Sequence, residues 1–270
     1  MIGSFPVRAA EPPLVLAIHP YRPATTLVQV FQPLADILGQ SLGRTVQVDI
    51  SYDYQTHVDR IQRDQVDLAY MGPAAFVGMW ANGDPKRLLG RLEIAGAPTF
   101  HGMIVTSEGS PVHALSDLHG KRMAFGDPLS TMSHLVPRFM LLQAGVGESD
   151  LADMQFLGSH DDVALGVLMG RFDAGAVKQE VFDKYGPRGL RGLQATPEIS
   201  EHVFVASDRL DQTQVDKLRR TLIGLAGHKE GLTALRSIKS TASGIVSATV
   251  EDYRNLRDIL ADLKKRGIAP

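Results

Sequence analysis

The sequence predicts an α/β fold in which helices cover a largely parallel sheet. Strand-like and helix-like segments alternate along most of the 270 residues, and repeated βα units form sheets of this kind. Hydrophobic residues make up 44% of the chain and charged residues 21%, which is ordinary for a globular protein. The length is sufficient for a large core and for two domains.

The first elements follow from the spacing of apolar residues. Apolar runs over residues 14–18 and 46–50 are predicted strands. Between them, apolar residues recur at helical spacing and predict an amphipathic helix over residues 25–42. Pro33 lies inside this pattern and should kink the helix or mark a late start. The elements predicted next are a short helix, a strand and a further helix, over residues 57–63, over 66–70 and from Gly72 onward.

The second half of the chain continues the alternation. The predicted strands cover residues 102–106, 122–125 and 202–206, and the predicted helices cover residues 131–144 and 163–169. Beyond Asp211 we expect only helices, because apolar residues between 250 and 263 recur at helical spacing.

Composition excludes several classes of function. The formal net charge is −2, so no polybasic surface indicates binding to nucleic acid. The chain has no cysteine, which excludes a disulfide framework, a thiolate metal site and a cysteine nucleophile. HExxH, GxSxG, P-loop and GxGxxG motifs are absent, so an enzyme is a weakly supported alternative and we expect no cofactor or metal.

A polar segment follows the predicted strand 122–125 and opens the helix 131–144. It reads Asp127-Pro128-Leu129-Ser130-Thr131-Met132-Ser133-His134. The start of a helix offers unpaired backbone N–H groups, a positive dipole end and, here, hydroxyl donors, which together suit a small oxyanion. The alternative is an ordinary helix cap formed by Ser130 or Thr131.

Other polar residues follow predicted strands in the same way. Tyr21, Tyr70, Gly126 and His160 each come at or just after the end of a strand. Because ligands of such sheets bind outside the carboxyl ends of the strands, we expect these residues to lie along one edge. His160 belongs to a second polar loop, Gly158-Ser159-His160-Asp161, which precedes the helix 163–169.

Seven motifs in one order resemble the phosphonate and phosphite solute-binding proteins of ABC transporters, the PhnD-like family. They are His19-Pro20-Tyr21, Asp53-Tyr54, Asp67-Leu68-Ala69-Tyr70-x-Gly72-Pro73, Asp117-Leu118-x-Gly120-Lys121, Gly126-Asp127-Pro128-x-Ser130-Thr131 with His134-Leu135-x-Pro137, Gly158-Ser159-His160-Asp161 and Gly170-x-x-Asp173-Ala174-Gly175-Ala176. The resemblance runs from about Leu14 to about Ser207.

This resemblance implies a type II periplasmic-binding-protein fold, with two α/β lobes and a ligand cleft between them. Residues 1–105 together with 204–270 would form the first lobe, and residues 106–203 the second. The chain would cross between them near 104–107 and 201–205, and these crossings would act as the hinge.

The resemblance also implies a set of ligand-binding residues. Ser130, Thr131 and His160 match the family's oxyanion-binding side chains, and Tyr54 and Tyr70 match aromatic positions of the other lobe. Glu180 falls where some members hold a ligand amine. The family's Ser-Thr-Ser-Gly reads Ser130-Thr131-Met132-Ser133 here, so that Ser133 would replace the hydroxyl lost at Met132. The remaining candidates are Tyr21, His101 and His202.

The function implied is capture of a compact phosphorus oxyanion and its delivery to an ABC permease in the inner membrane. Phosphite, phosphate or a short alkyl phosphonate is preferred over 2-aminoethylphosphonate, because a histidine near residue 202 favours an anion over an ammonium group. A sensor that partners a membrane histidine kinase is the alternative with the same fold. We expect a periplasmic monomer, and we interpret residues 1–13 as the remnant of a removed signal peptide or a disordered start.

Overall fold

The computed structural model describes residues 11–81 and 85–268. Most of the segment that we interpret as a signal-peptide remnant lies outside these residues. None of the helices in the described ranges combines the length and apolar character that a membrane span requires.

The strands and helices alternate through much of the described chain. The strands are β1 (Leu14–Ile18), β2 (Val46–Ile50), β3 (Leu68–Met71), β4 (Arg87–Ile94), β5 (Thr99–Phe100), β6 (Gly102–Ser107), β7 (Arg122–Phe125), β8 (Asp153–Phe156), β9 (Ala174–Lys178), β10 (Leu190–Ala195), β11 (Ile199–Ser200), β12 (Val203–Ala206) and β13 (Ala242–Val246). The helices are α1 (Ala24–Leu42), α2 (Tyr54–Gln62), α3 (Pro73–Ala81), α4 (Val136–Gln143), α5 (His160–Leu168), α6 (Gln179–Tyr185), α7 (Gln212–Gly224), α8 (Lys229–Ile238) and α9 (Arg254–Lys265).

Six strands form the sheet of the first lobe, in the order β13-β4-β12-β3-β1-β2. Strand β1 pairs in parallel with β2 and β3, whereas β12 and β13 pair antiparallel with their neighbours. The prediction of helices only beyond Asp211 is therefore wrong. Strand β13 was missed because its short segment contains Gly244 and is held by β4, about 150 residues earlier in the chain, so that tertiary pairing decides its conformation.

Five strands form the sheet of the second lobe, in the order β10-β6-β9-β7-β8. Strand β7 pairs in parallel with β8 and β9, and β6 pairs antiparallel with β9 and β10. A largely parallel sheet is thus the wrong description of either lobe. Among the described strands, parallel pairing is confined to β1, β2 and β3 and to β7, β8 and β9.

A two-stranded ribbon of β5 and β11 lies between the two sheets along the chain. Strand β6, which the predicted boundary at residue 105 would divide, belongs as a whole to the second sheet. The division into lobes at 105 and 203 stays a prediction. We propose that the two crossings lie at residues 95–101 and 196–202, where the chain passes from one sheet to the other.

Local signals place the ends of several helices. Helix α2 begins at Tyr54, earlier than expected, because the Asp53 carboxylate accepts a hydrogen bond from Thr56 N at 2.6 Å and caps the helix. Helix α1 is continuous from Ala24, so Pro33 lies inside it and does not mark a late start.

The hydrophobic core is continuous across both lobes in the described residues. Buried residues of β1 and β3 share one cluster with buried residues of β6, β7 and β9. Helix α9 contacts both α3 of the first lobe and α4 of the second. This packing holds the lobes against each other around the cavity described next.

Candidate functional site

A cavity of about 70 Å³ lies between the two lobes. Its polar lining comes from the first lobe, the second lobe and the crossing segment, and comprises His19, Tyr21, Arg22, Tyr54, Tyr70, Ser130, Thr131, His160, Lys178, Glu180, Glu201, His202 and Lys239. A cavity needs roughly 10–15 Å³ to hold one water molecule, so this one holds a handful. That space suits a tetrahedral anion with a small substituent rather than a drug-sized ligand.

The second lobe contributes the start of the helix that leads into α4. A π-helical turn, Thr131–Leu135, precedes α4, and Ser130 is its cap. Ser130 Oγ accepts a hydrogen bond from Ser133 N at 3.2 Å, and Thr131 Oγ1 accepts one from Ala74 N at 3.0 Å. Each hydroxyl thus receives a backbone donor and keeps its own proton for a ligand in the cavity.

Backbone groups add to these donors. The N–H groups of Thr131 and Met132 belong to the first turn and have no partner among the described residues. Met132 lines the cavity, and its sulfur accepts a hydrogen bond from Thr196 Oγ1 at 3.4 Å. The segment can therefore present two hydroxyls and two backbone N–H groups to an anion, with the positive end of the helix dipole behind them.

Two candidates from the sequence are not among the cavity residues. Ser133 is fully buried, and its hydroxyl donates to Ala176 O at 2.6 Å, so its proton is already used. His101 has its Nδ1 2.8 Å from Glu198 Oε1. The other nine candidates line the cavity together.

His160 presents a donor to the cavity. Its Nδ1 accepts a hydrogen bond from Lys178 N at 3.1 Å, so the neutral ring carries its proton on Nε2. Burial, followed by the charge of Lys178, lowers the pKa of His160 to about 3. The sequence left the charge of this ring open, and the structure assigns a neutral imidazole with an Nε2–H donor.

Three phenols from the first lobe face the same space. The hydroxyls of Tyr21, Tyr54 and Tyr70 have no hydrogen-bond partner among the described residues. Burial raises the pKa of Tyr21 to about 12 and raises those of Tyr54 and Tyr70 well above their ordinary value. All three are therefore neutral donors at physiological pH.

Two histidines stack beside Tyr70 with their rings oriented by hydrogen bonds. His202 has its ring centroid 5.2 Å from that of Tyr70 and its Nδ1 2.7 Å from Glu201 Oε2. His19 lies 5.5 Å from the His202 ring, and its Nδ1 is 3.1 Å from Tyr70 O. In both rings the Nδ1 atom is engaged by the protein.

Charged side chains form an ion cluster at one side of the cavity. The Glu180 carboxylate contacts Lys178 Nζ, Lys239 Nζ at 3.2 Å and Arg22 Nη2 at 3.9 Å, and Lys239 is also 3.5 Å from Glu201 Oε1. Burial opposes ionisation of Glu180, but the positive charges of Lys178 and Lys239 outweigh it and lower its pKa to about 2. Glu180 is thus an ionised bridge between the lobes and is already paired with cations.

Sequence reasoning missed Lys178, Lys239 and Arg22 as cavity residues. It left open whether Glu201 or His202 faces the cleft, and both line the cavity. Lys178 ends strand β9, so the strand-end argument could have found it. Arg22 comes directly after Tyr21, which was a candidate. Lys239 follows α8 in a region predicted to be purely helical, and no local signal marks it.

Two α/β lobes that enclose a small cavity lined by hydrogen-bond donors from both define the type II periplasmic-binding-protein class. The chain belongs to the family described as ABC transporter, phosphonate, periplasmic substrate-binding protein, whose model matches residues 16–253. The resemblance inferred from the motifs is thereby confirmed.

Known proteins agree with this family. The chain is 29% identical to the phosphate-import protein PhnD of Mycolicibacterium smegmatis, over 91% of this chain and 84% of that protein. Its fold is similar to that of PhnD1 from Prochlorococcus marinus in complex with methylphosphonate, with a TM-score of 0.83, 23% identity and coverage of 93% and 98%. A binding-protein component of an ABC phosphonate transporter from Pseudomonas aeruginosa gives a TM-score of 0.81, with 20% identity and coverage of 95% and 87%.

Proposed function

We propose that the protein captures a compact phosphorus oxyanion, such as methylphosphonate, phosphite or phosphate, between its lobes and delivers it to an ABC permease. The observation that carries this proposal is that several hydrogen-bond donors without an acceptor among the described residues line one small cavity. Ser130, Thr131 and the first backbone N–H groups of the helix approach from the second lobe with His160, and the phenols of Tyr21, Tyr54 and Tyr70 approach from the first.

The charge of the lining supports an anion. Three cations, Arg22, Lys178 and Lys239, face two carboxylates, Glu180 and Glu201. These five side chains leave one net positive charge, to which the helix dipole adds. Neutral donors in a buried site bind an oxyanion without the desolvation of a further buried cation.

The ion pairs of the cavity lining favour a compact anion over an aminoalkyl phosphonate. An ammonium group would need a carboxylate without a partner, but Glu180 is shared by Lys178, Lys239 and Arg22. Glu201 accepts hydrogen bonds from the backbone N–H and the Nδ1 atom of His202. The cavity volume of about 70 Å³ accommodates a methyl-sized substituent, and a wider space of about 420 Å³ adjoins the cavity beside Lys178 and Glu180.

The names of the relatives support the same ligand class. The Mycolicibacterium relative is a phosphate-import protein, and a Prochlorococcus relative with 23% identity is a probable phosphite-binding protein of an ABC transporter. Members of this family are transport components, which favours binding over catalysis and permease delivery over kinase sensing. The family description also supports a periplasmic location, and we propose that the protein acts there as a monomer.

The direct test is titration calorimetry of protein that has been unfolded, dialysed and refolded to remove any ligand carried through purification. Methylphosphonate, phosphite and phosphate are compared with 2-aminoethylphosphonate. We expect saturable one-to-one binding of at least one compact anion and binding of 2-aminoethylphosphonate at least tenfold weaker. A melting curve gives an independent measure, since ligand at 100 times its dissociation constant adds about 2.7 kcal/mol of stability. Absence of binding by every phosphorus oxyanion would reject the proposal, and turnover of a phosphonate ester above blank would revive the enzyme alternative.

A further inference from the structure

We propose that His19 accepts a hydrogen bond from a protonated oxygen of the bound anion. The site would then take phosphorus oxyanions in their monoprotonated form and reject sulfonates and sulfate. This inference rests on the proposed function and adds the protonation state of the ligand to it.

The tautomer of His19 follows from its contact with the protein. Its Nδ1 lies 3.1 Å from Tyr70 O, and a carbonyl oxygen can only accept. The proton of the neutral ring is therefore on Nδ1, and Nε2 carries a lone pair. His57 donates its Nε2–H to the same carbonyl at 3.2 Å while its Nδ1 contacts Ser51 Oγ at 2.9 Å, so Tyr70 O is held between two imidazoles.

The Nε2 atom of His19 has no hydrogen-bond partner among the described residues, although the residue lines the cavity. The side chain is 98% buried, since only 2% of its surface is exposed, yet the residue lines the cavity. No described residue forms a hydrogen bond to Nε2. The atom is nevertheless not completely buried, so a ligand in the cavity can reach it. The atom is thus a buried acceptor whose partner must come from the cavity.

The surroundings keep the His19 ring neutral. The titratable and charged groups that face it from the packed elements are His202, His57, Lys178, Tyr21, Tyr54 and Tyr70. Burial first, then His202 and His57, lower the pKa of His19 well below its ordinary value, and only the contact with Tyr70 O acts in the opposite direction. A ring that stays neutral offers Nε2 as an acceptor throughout the physiological range.

A hydrogen-bond acceptor in an anion site distinguishes anions that carry a proton from anions that do not. A phosphorus oxyanion keeps one proton until about pH 6 or above, so its third oxygen can donate to Nε2. A sulfonate has no proton at these pH values, and its oxygen would face the lone pair of a buried imidazole. Unpaired or opposed polar groups in a buried site are how binding proteins exclude close analogues.

The experiment compares methylphosphonate with methanesulfonate, which has nearly the same shape, by calorimetry between pH 6 and pH 8.5. For the wild-type protein we expect methanesulfonate to bind at least 100-fold more weakly. We also expect the affinity for methylphosphonate to fall about tenfold per pH unit above the second pKa of the ligand. In His19→Gln the amide supplies a donor in place of the acceptor. The ratio of the affinities for methylphosphonate and methanesulfonate should then shrink to below tenfold. The affinity for methylphosphonate should change by less than threefold per pH unit.

His57→Gln is the matched control, because it removes the other imidazole on Tyr70 O but does not line the cavity. It should keep the wild-type ligand ratio and pH profile. Comparable wild-type binding of the two ligands, or a methylphosphonate affinity independent of pH, would overturn the role of His19 while leaving the proposed function intact. If His19→Gln does not fold, either wild-type measurement can still overturn the proposal. A lack of methylphosphonate binding at every pH would instead reject the proposed function, and this inference with it.

Discussion

Glu180 of the second lobe and Lys239 of the first lie opposite each other across the cleft, with Oε2 3.2 Å from Nζ. Arg22 contacts the other oxygen of the same carboxylate at 3.9 Å, and Lys178 contacts it from its own lobe. One carboxylate therefore holds two cations of the opposite lobe. We propose that the first role of Glu180 is to hold the lobes together beside the ligand rather than to recognise part of the ligand.

Replacement of Glu180 by Gln tests this role. We expect the affinities for methylphosphonate and 2-aminoethylphosphonate to change by the same factor, within threefold, because the carboxylate serves the lobes and not the amine. The free energy of unfolding should fall by about 1–3 kcal/mol, since three cations lose a partly buried partner. Calorimetry and urea unfolding provide the two measurements. Glu230→Gln, which removes the same charge from an exposed position of α8, is the control. A selective loss of more than tenfold for the aminophosphonate would contradict the prediction.

The hydroxyls of the helix start should carry much of the affinity. If Ser130 and Thr131 bind the anion as proposed, Ser130→Ala and Thr131→Ala each remove a hydrogen bond to it, and we expect each to weaken methylphosphonate binding by about 1.5–3 kcal/mol. Ser130→Ala should also cost about 1 kcal/mol of stability as a lost cap. Ser133→Ala is the matched control, because its hydroxyl donates to Ala176 O outside the cavity. It should lower stability and leave the affinity within threefold of wild type. Titration calorimetry measures the affinity of all three variants for methylphosphonate. If Ser133→Ala binds as poorly as the other two, the loss of affinity reflects a change in structure rather than a lost hydrogen bond to the anion.

Acid should destabilise the protein through histidines that are buried in the neutral state. Burial lowers the pKa of His134 to about 4, with its Nδ1 2.7 Å from Pro128 O. The unfolded chain binds the proton near pH 6.5, so the native state binds fewer protons between pH 6.5 and pH 4, and stability falls as the pH is lowered through this window. Between pH 6.5 and pH 4, the free energy of unfolding of His134→Gln should therefore fall by about 1.4 kcal/mol less per pH unit than that of the wild-type protein.

Urea unfolding at pH 7 and pH 5 checks this slope. The exposed His228 supplies a control variant, His228→Gln, which should keep the wild-type dependence. His134 does not line the cavity, so residual ligand does not confuse the comparison. Equal slopes for wild type and His134→Gln would show that this ring is not the group that binds the proton on unfolding.

Gly126 should tolerate no side chain. A Cβ atom at this position would lie 2.6 Å from Ser133 Oγ and 2.9 Å from Ser133 Cβ, and Ser133 is fully buried. Gly126→Ala should cost about 1–3 kcal/mol through overpacking. It should also weaken ligand binding, because relief requires the helix start to move. Gly186→Ala, where nothing lies within 4 Å of the added atom, should be close to neutral in both melting temperature and affinity. Wild-type affinity in Gly126→Ala would mean that the helix start moves without consequence for the ligand.

Local signals in the sequence were sufficient for part of the fold and site. Strands β1, β2 and β7 have the predicted bounds, because each is a short apolar run next to turn residues. Ser130, Thr131 and His160 were predicted because hydroxyls at a helix start and polar residues after strands have a physical reason to face a ligand, and all three line the cavity. The placement of nine candidates in one cavity follows from that rule together with the family motifs.

Long-range contacts set the parts that the sequence did not reveal. Strand β13 depends on pairing with β4, and the role of Glu180 depends on Arg22 and Lys239, which lie far away along the chain. The proton of His160 is fixed by Lys178 N, a contact that spacing alone does not give. Ser133 looked like a replacement for a lost hydroxyl, but its rotamer is decided by the carbonyl of Ala176.

The hydrogen bond from Ala74 N to Thr131 Oγ1 has a kinetic consequence. Ala74 starts a helix of the first lobe, and the hydroxyl that it fixes belongs to the second. Opening the lobes would break this bond and move the phenols of the first lobe away from the ligand. In the same motion the Thr131 hydroxyl would lose the contact that orients it. We expect the dissociation rate of the ligand to be the rate at which the lobes part. A permease that pulls the lobes apart could therefore unload its cargo without touching the anion.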